Sequence, residues 1–145
     1  MSQPYIVVID DNPADVELLR IALDEHGEAY ELVALTDGEE ALRFVTGRYG
    51  EGRDPEPCVI LLDLHLPKYN GLEVLAAVKR ERSLRHVHVV MLTSGGVRPQ
   101  EQAKAEEMGA IFRLKPRQYS EVMDLAKDVL SLCKTGELEV EAVLV

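Results

Sequence analysis

The chain alternates between short β-branched runs and longer segments with helical spacing. Residues 5–9 (YIVVI) form the first apolar run. Asn12-Pro13 follows and reads as an N-cap and a first helical residue. The helix it opens carries the stripe Val16, Leu19, Ile21 and Leu23 and stops near Gly27. A second strand is predicted over residues 30–35. Thr36-Asp37-Gly38 then opens a helix through Ala41, Leu42 and Val45. Residues 58–62 are apolar on both faces, the pattern of a central parallel strand. Helix 71–82, strand 87–92, helix 100–108, strand 111–114 and helix 118–132 complete the series. Five βα units in succession predict an α/β fold built on a parallel sheet.

Two stretches break this rhythm. Residues 47–57 read GRYGEGRDPEP, an exposed loop longer than a minimal connection between a helix and a strand. Beyond Gly136, Leu138, Val140, Ala142 and Leu144 alternate with their neighbours at period two. A chain end of this kind commonly frays. An apolar edge segment is also a template for pairing. The expected organisation is one domain over residues 1–136 and an extension, 137–145, that exchanges as a strand with a second copy.

Composition narrows the function. The 145 residues suit one domain, and 46% apolar content supports a core. No apolar run approaches the ~20 residues of a membrane span. No basic segment leading into an apolar stretch opens the chain, so no secretion signal is expected. A net charge of −10 disfavours direct contact with a nucleic-acid backbone. Cys58 and Cys133 lack metal-ligand spacing and are expected as reduced thiols of a cytoplasmic protein.

The chemistry lies where the strands end. Parallel α/β sheets bind ligands beyond the carboxyl ends of their strands. Those ends carry Asp10-Asp11, Asp63, Thr93-Ser94 and Lys115-Pro116. An aspartate closing the most apolar strand is costly unless a cation meets it, and at one rim Lys115 could do so. Three converging carboxylates repel one another, and a hard divalent cation such as Mg²⁺ relieves them. An aspartate beside such an ion can act as a nucleophile toward phosphorus. Lys115 and the Thr93 hydroxyl could then satisfy phosphoryl oxygens.

At this point the sequence resembles the receiver domain of two-component response regulators. The matching residues are Asp10-Asp11, Asp63 within LLDLHLP, Gly71, Thr93-Ser94 and Lys115-Pro116. Thr93 stands 30 residues and Lys115 52 residues beyond Asp63. The resemblance implies a flavodoxin-like fold of strand order 2-1-3-4-5 flanked by five helices. It implies Asp63 as phospho-acceptor, Asp11 as a direct Mg²⁺ ligand and Asp10 as a ligand through water or a partner of the groups that bind the ion. The His65 backbone carbonyl would also face the metal. Thr93 and Lys115 would hold the phosphoryl oxygens, and Phe112 would be the aromatic that moves with Thr93. Asp11-Asn12-Pro13-Ala14-Asp15, the long loop and the LDLHLP run resemble regulators serving phytochrome-type histidine kinases. The partner implied is a sensor histidine kinase or a histidine phosphotransfer protein, and the assembly a homodimer through the fourth and fifth helices and the tail. Gly95-Gly96 departs from the family pattern and would loosen the loop after Thr93. His65 occupies a position that tunes dephosphorylation.

Rival readings fit less well. A haloacid-dehalogenase-type phosphatase needs a second aspartate where His65 stands. A flavodoxin needs a hydroxyl- and glycine-rich phosphate loop where Asp10, Asp11 and Asn12 stand. A pseudo-receiver has no need of the acceptor, acidic pair and lysine together. The reading is therefore a phospho-acceptor signalling protein rather than an enzyme.

Overall fold

A computed structural model describes residues 3–47 and 55–136. Its elements run β1 (Tyr5–Ile9), α1 (Pro13–Glu25), β2 (Glu31–Leu35), α2 (Gly38–Thr46), β3 (Val59–Asp63), α3 (Gly71–Arg80), β4 (His88–Thr93), α4 (Pro99–Glu107), β5 (Ile111–Leu114) and α5 (Tyr119–Thr135). The strands form one parallel sheet in the order β2-β1-β3-β4-β5. This is the flavodoxin-like order expected above. Residues 48–54 of the long loop and the whole 137–145 extension lie outside the described residues.

Strand alternation divides the core in two. Val7, Ile9, Ile60, Leu62, Val89 and Met91 pack with α2, α3 and α4 on one face. Ile6, Val8, Val59, Leu61, Val90 and Leu92 pack with α1 and α5 on the other. β3 is buried along its full length, which is why its sequence is apolar on both faces. β2 lies at an edge and remains partly exposed.

Helix starts follow the side chains that cap them. Asn12 accepts a hydrogen bond from the Ala14 amide, with Pro13 in the first turn. Asp37 accepts from Glu40, and Asn70 and Glu73 form a reciprocal capping box.

Several expectations change. Ile21 does not join the buried stripe of α1 and is 41% exposed, while Ala22 is buried. At 3.6 residues per turn, position 22 shares the face of 19 and 23, whereas position 21 points away. α3 ends at Arg80 rather than at residue 82, because Glu81 turns extended and caps a one-turn 3₁₀ helix, Arg82–Leu84. β4 starts one residue later than predicted, at His88.

The largest correction concerns the cysteines. Cys58 and Cys133 are not free thiols: they form a disulfide with Cα atoms 5.2 Å apart. A separation of 75 residues hides this pairing in the sequence. In the fold, α5 runs back against the strand direction and returns Cys133 to the start of β3.

Candidate functional site: an acidic rim around one lysine

The register of the sheet builds the site. β1, β3 and β4 end side by side, with Ile9 paired to Leu62 and Asp63 to Leu92. Asp10, Asp63 and Thr93 therefore emerge together, each at most 5% exposed. The Lys115 amide donates to the Thr93 carbonyl at 2.8 Å, which ties the exit of β5 to the exit of β4.

Each buried carboxylate has two donors. Asp63 Oδ1 accepts from the His65 amide at 3.0 Å, and Asp63 Oδ2 from Lys115 Nζ at 2.9 Å. Asp10 Oδ1 accepts from the Asn12 amide at 2.9 Å, and Asp10 Oδ2 stands 3.3 Å from Lys115 Nζ. These contacts offset the burial of charge that made Asp63 look out of place in the sequence. Burial pushes the Asp10 carboxyl above its usual range, opposed by the Asn12 amide and Lys115, with Asp63 and Asp15 adding to the rise. Burial also works against the Lys115 ammonium. Its hydrogen bond to Asp63 and the charges of Asp63 and Asp10 outweigh that and hold it above the usual lysine value.

Asp11 is exposed, yet its carboxylate reaches the same space. One oxygen each from Asp10, Asp11 and Asp63 lies within 4.8 Å of the others. Octahedral Mg²⁺ with oxygens at about 2.1 Å places its ligands about 3 to 4.2 Å apart. The trio is close to that spacing, and every donor is a hard oxygen. The residues fit such an ion. Neutralisation is also incomplete without one, since a single ammonium faces three carboxylates.

The loop after β3 is held close by two features. A Cβ on Gly71 would stand 2.6 Å from the Asp63 carbonyl oxygen and 2.8 Å from Leu64 Cα, so only glycine lets α3 start there. Lys68 has φ +73°, and the Tyr69 amide bonds back to the Pro67 carbonyl at 2.9 Å. Lys68 Nζ reaches Glu39 Oε1 at 2.7 Å and Asp37 Oδ2 at 3.6 Å, fastening this turn to the start of α2.

Thr93 reaches the rim, but its hydroxyl is engaged by the next loop. Its Oγ1 accepts from the Gly95 amide at 3.2 Å and donates to the Gly95 carbonyl at 3.4 Å. Gly95 and Gly96 have φ values of +122° and +70°. The expected loosening is thus a specific turn that other residues rarely adopt. Phe112 is half-buried and packs on the core beneath α4, with Val97 and Met108 beside that core. The His65 side chain is exposed, and its amide is the part that meets Asp63.

Sequence reasoning missed Asp15. Its Oδ2 lies 3.4 Å from Lys115 Nζ. In the sequence it closes the run that resembles phytochrome-associated regulators, but with no sign of contact with the site, since the helix dipole favours an acidic residue in a first turn for its own reasons.

Comparison with known proteins agrees with this geometry. Residues 6–127 match the response regulator receiver domain family. Response regulator Rcp1 of Synechocystis is 38% identical over 89 residues, 61% of this chain and 60% of Rcp1's length. The Mn²⁺-bound structure of Rcp1 superposes with a TM-score of 0.73 and 29% identity, covering 94% of this chain and 99% of that one. The phosphorylated cyanobacterial phytochrome response regulator RcpA gives a TM-score of 0.79 at 26% identity, covering 94% and 97%. The bacteriophytochrome response regulator AtBRR gives 0.67 at 39% identity, covering 90% and 94%.

Proposed function

The chain belongs to the response regulator receiver family, and on that premise we propose that it accepts a phosphoryl group on Asp63 from a histidine kinase or histidine phosphotransfer protein. The likeness to Rcp1, RcpA and AtBRR favours a phytochrome-type sensor as the origin of the signal. The observation that carries the reading is the Asp63 carboxylate, buried at the rim with Lys115 on one oxygen and the His65 amide on the other.

In the proposed reaction an Asp63 oxygen attacks the phosphorus of a phosphohistidine. The P–N bond breaks, the P–O bond forms, and the imidazole leaves. Bound by Asp10, Asp11, Asp63 and the His65 carbonyl, Mg²⁺ would supply charge neutralisation for the incoming phosphoryl oxygens. Lys115 offers a phosphoryl oxygen an N–H. Thr93 offers its hydroxyl once it leaves Gly95, and Phe112 then packs differently over the space that Thr93 vacates. Phosphorylation thereby biases two arrangements of the β4–α4 loop and the β5 face, which a partner reads. The protein promotes at most its own phosphorylation and dephosphorylation, in the cytoplasm, with no nucleic acid or membrane as partner.

A homodimer through α4, α5 and the 137–145 extension belongs to the same proposal. Leu114 on the edge strand β5 is 64% exposed and supplies apolar surface for such a contact. Deleting residues 137–145 and measuring mass by light scattering tests the tail: an unchanged dimer mass removes it from the interface.

The test of the central reaction is intact mass after incubation with a small phosphoryl donor. One phosphoryl adduct is expected, dependent on Mg²⁺, lost with chelator and absent from Asp63→Asn. An adduct that persists in Asp63→Asn would place the acceptor elsewhere.

A further inference from the structure

The Lys115 ammonium has three N–H donors. Three carboxylates surround it, Asp63 at 2.9 Å, Asp10 at 3.3 Å and Asp15 at 3.4 Å. We propose that Asp15 is a positioning residue, the third leg of a carboxylate mount that fixes Lys115 for phosphoryl transfer. The proposal rests on the phospho-acceptor reading for its purpose, though not for its geometry.

Packing alone does not hold this side chain. Lysine has a flexible four-carbon stem. Beside it, a cavity of about 50 Å³ opens between α1 and α5, lined by Asp10, Asp15, Leu18, Lys115 and Pro116 among others. The side chain is therefore not close-packed on that side, and the ionic contacts decide where its ammonium rests.

Asp15 is itself well placed to anchor it. The Asn12 cap fixes where α1 begins, and the Asp15 amide donates to the Asn12 carbonyl at 3.1 Å. Asp15 does not belong to the oxygen trio formed by Asp10, Asp11 and Asp63. Its contact with the site is through Lys115, and its role is accordingly distinct from that of a metal ligand.

The mount has a direct use. When an Asp63 oxygen becomes bonded to phosphorus, the N–H that pointed at Asp63 must turn to a phosphoryl oxygen further out. Asp10 and Asp15 keep the other two N–H groups meanwhile. The ammonium pivots on its two remaining carboxylate partners and does not have to be found again from solvent.

The experiment compares wild type, Asp15→Ala, Asp15→Asn and Asp15→Glu in the full chain. The first readout is the ¹H–¹⁵N spectrum of lysine side-chain ammonium groups, with Lys115→Arg to assign the signal. A protected Lys115 signal is expected in wild type, broadened away in Asp15→Ala and recovered in Asp15→Glu, with the backbone spectrum otherwise retained. The second readout is the rate of phosphorylation by a small donor. It should fall about three- to fivefold in Asp15→Ala and Asp15→Asn, the scale of one partly exposed ion pair, and recover in Asp15→Glu. The third is Mg²⁺ affinity by calorimetry, expected to stay within about twofold, since Asp15 is not a ligand. A Lys115 signal indifferent to Asp15 overturns the proposal. So does a loss of Mg²⁺ affinity that matches the loss of rate, because Asp15 would then act on the metal. If wild type takes no phosphoryl group at all, the acceptor reading fails, and the ammonium spectrum alone decides the mount.

Discussion

Replacing Asp11 by Asn is expected to stabilise the metal-free protein. Asp11 brings a third carboxylate within 4.8 Å of Asp10 and Asp63. Lys115 Nζ pairs with Asp63, Asp10 and Asp15, leaving Asp11 as the member of the trio without that contact. Two like charges 4.8 Å apart repel by about 0.9 kcal/mol even at the dielectric of water, so the two repulsions together reach about 2 kcal/mol. The distance is shorter than the screening length of about 8 Å at physiological salt, so screening is only partial. More distant attraction to Lys115 returns some of this, leaving a net gain of about 1 kcal/mol for Asp11→Asn. The chain has no tryptophan, so urea unfolding followed by far-ultraviolet circular dichroism is the suitable assay. In chelator the variant should unfold at higher urea than wild type. In Mg²⁺ at a hundredfold over its dissociation constant, wild type gains about 2.7 kcal/mol. With Asp11 as the ligand proposed above, the variant gains less, so the order reverses. A variant less stable than wild type in chelator would refute the repulsion argument. Equal stabilisation of both by Mg²⁺ would refute Asp11 as a ligand.

Three other perturbations have defined outcomes. Gly71→Ala forces a methyl against the Asp63 and Leu64 backbone and should cost about 1–3 kcal/mol in urea unfolding, with slower formation of the Asp63 adduct; a neutral change would mean α3 can shift freely. The Tyr30 hydroxyl donates to Asp24 at 2.6 Å, and burial together with Asp24 pushes its pKa up to about 12. Its contribution to stability is thus complete below pH 10.0 and disappears as pH rises through about 12. Alkaline absorbance titration should show a tyrosine component near pH 12 that is lost in Tyr30→Phe; an unaltered titration in that variant would contradict the assignment. Reducing the Cys58–Cys133 bond opens a loop of 75 residues and should remove roughly 2–4 kcal/mol, Cys58→Ser matching the reduced protein; an unshifted urea midpoint would show the bond adds nothing.

The sheet was legible because β-branched runs and capped helices carry their own local signals. Asp10, Asp63, Thr93 and Lys115 could be placed at one rim because a parallel sheet brings strand ends together whatever their spacing in the chain. Contacts set by tertiary approach left no such mark. Asp15 looks like any acidic first-turn residue until β5 delivers Lys115 beside it. Lys68 looks like loop until its left-handed turn is seen pinned to Glu39. Ile21 differs for another reason: it is apolar, but its angular position on α1 turns it away from the buried face. The Cys58–Cys133 pairing left no local mark either, because the proximity of the two residues depends on the return path of α5.

The Cys58–Cys133 link makes a covalent ring of the second half of the chain. Asp63, Thr93 and Lys115 lie inside it, and Asp10, Asp11 and Asp15 lie on the open arm that precedes it. Apart from the peptide bond into Cys58, the arm is held to the ring by noncovalent contacts, among them the pairing of β1 with β3, the packing of α1 on α5 and of α2 on α3, and the ion pairs of Lys68 and Lys115. A single peptide cut anywhere within 59–132 leaves the oxidised protein in one covalent piece. A single cut between Asp15 and Cys58 leaves the acidic pair joined to the residues that would hold the phosphoryl group by noncovalent contacts alone.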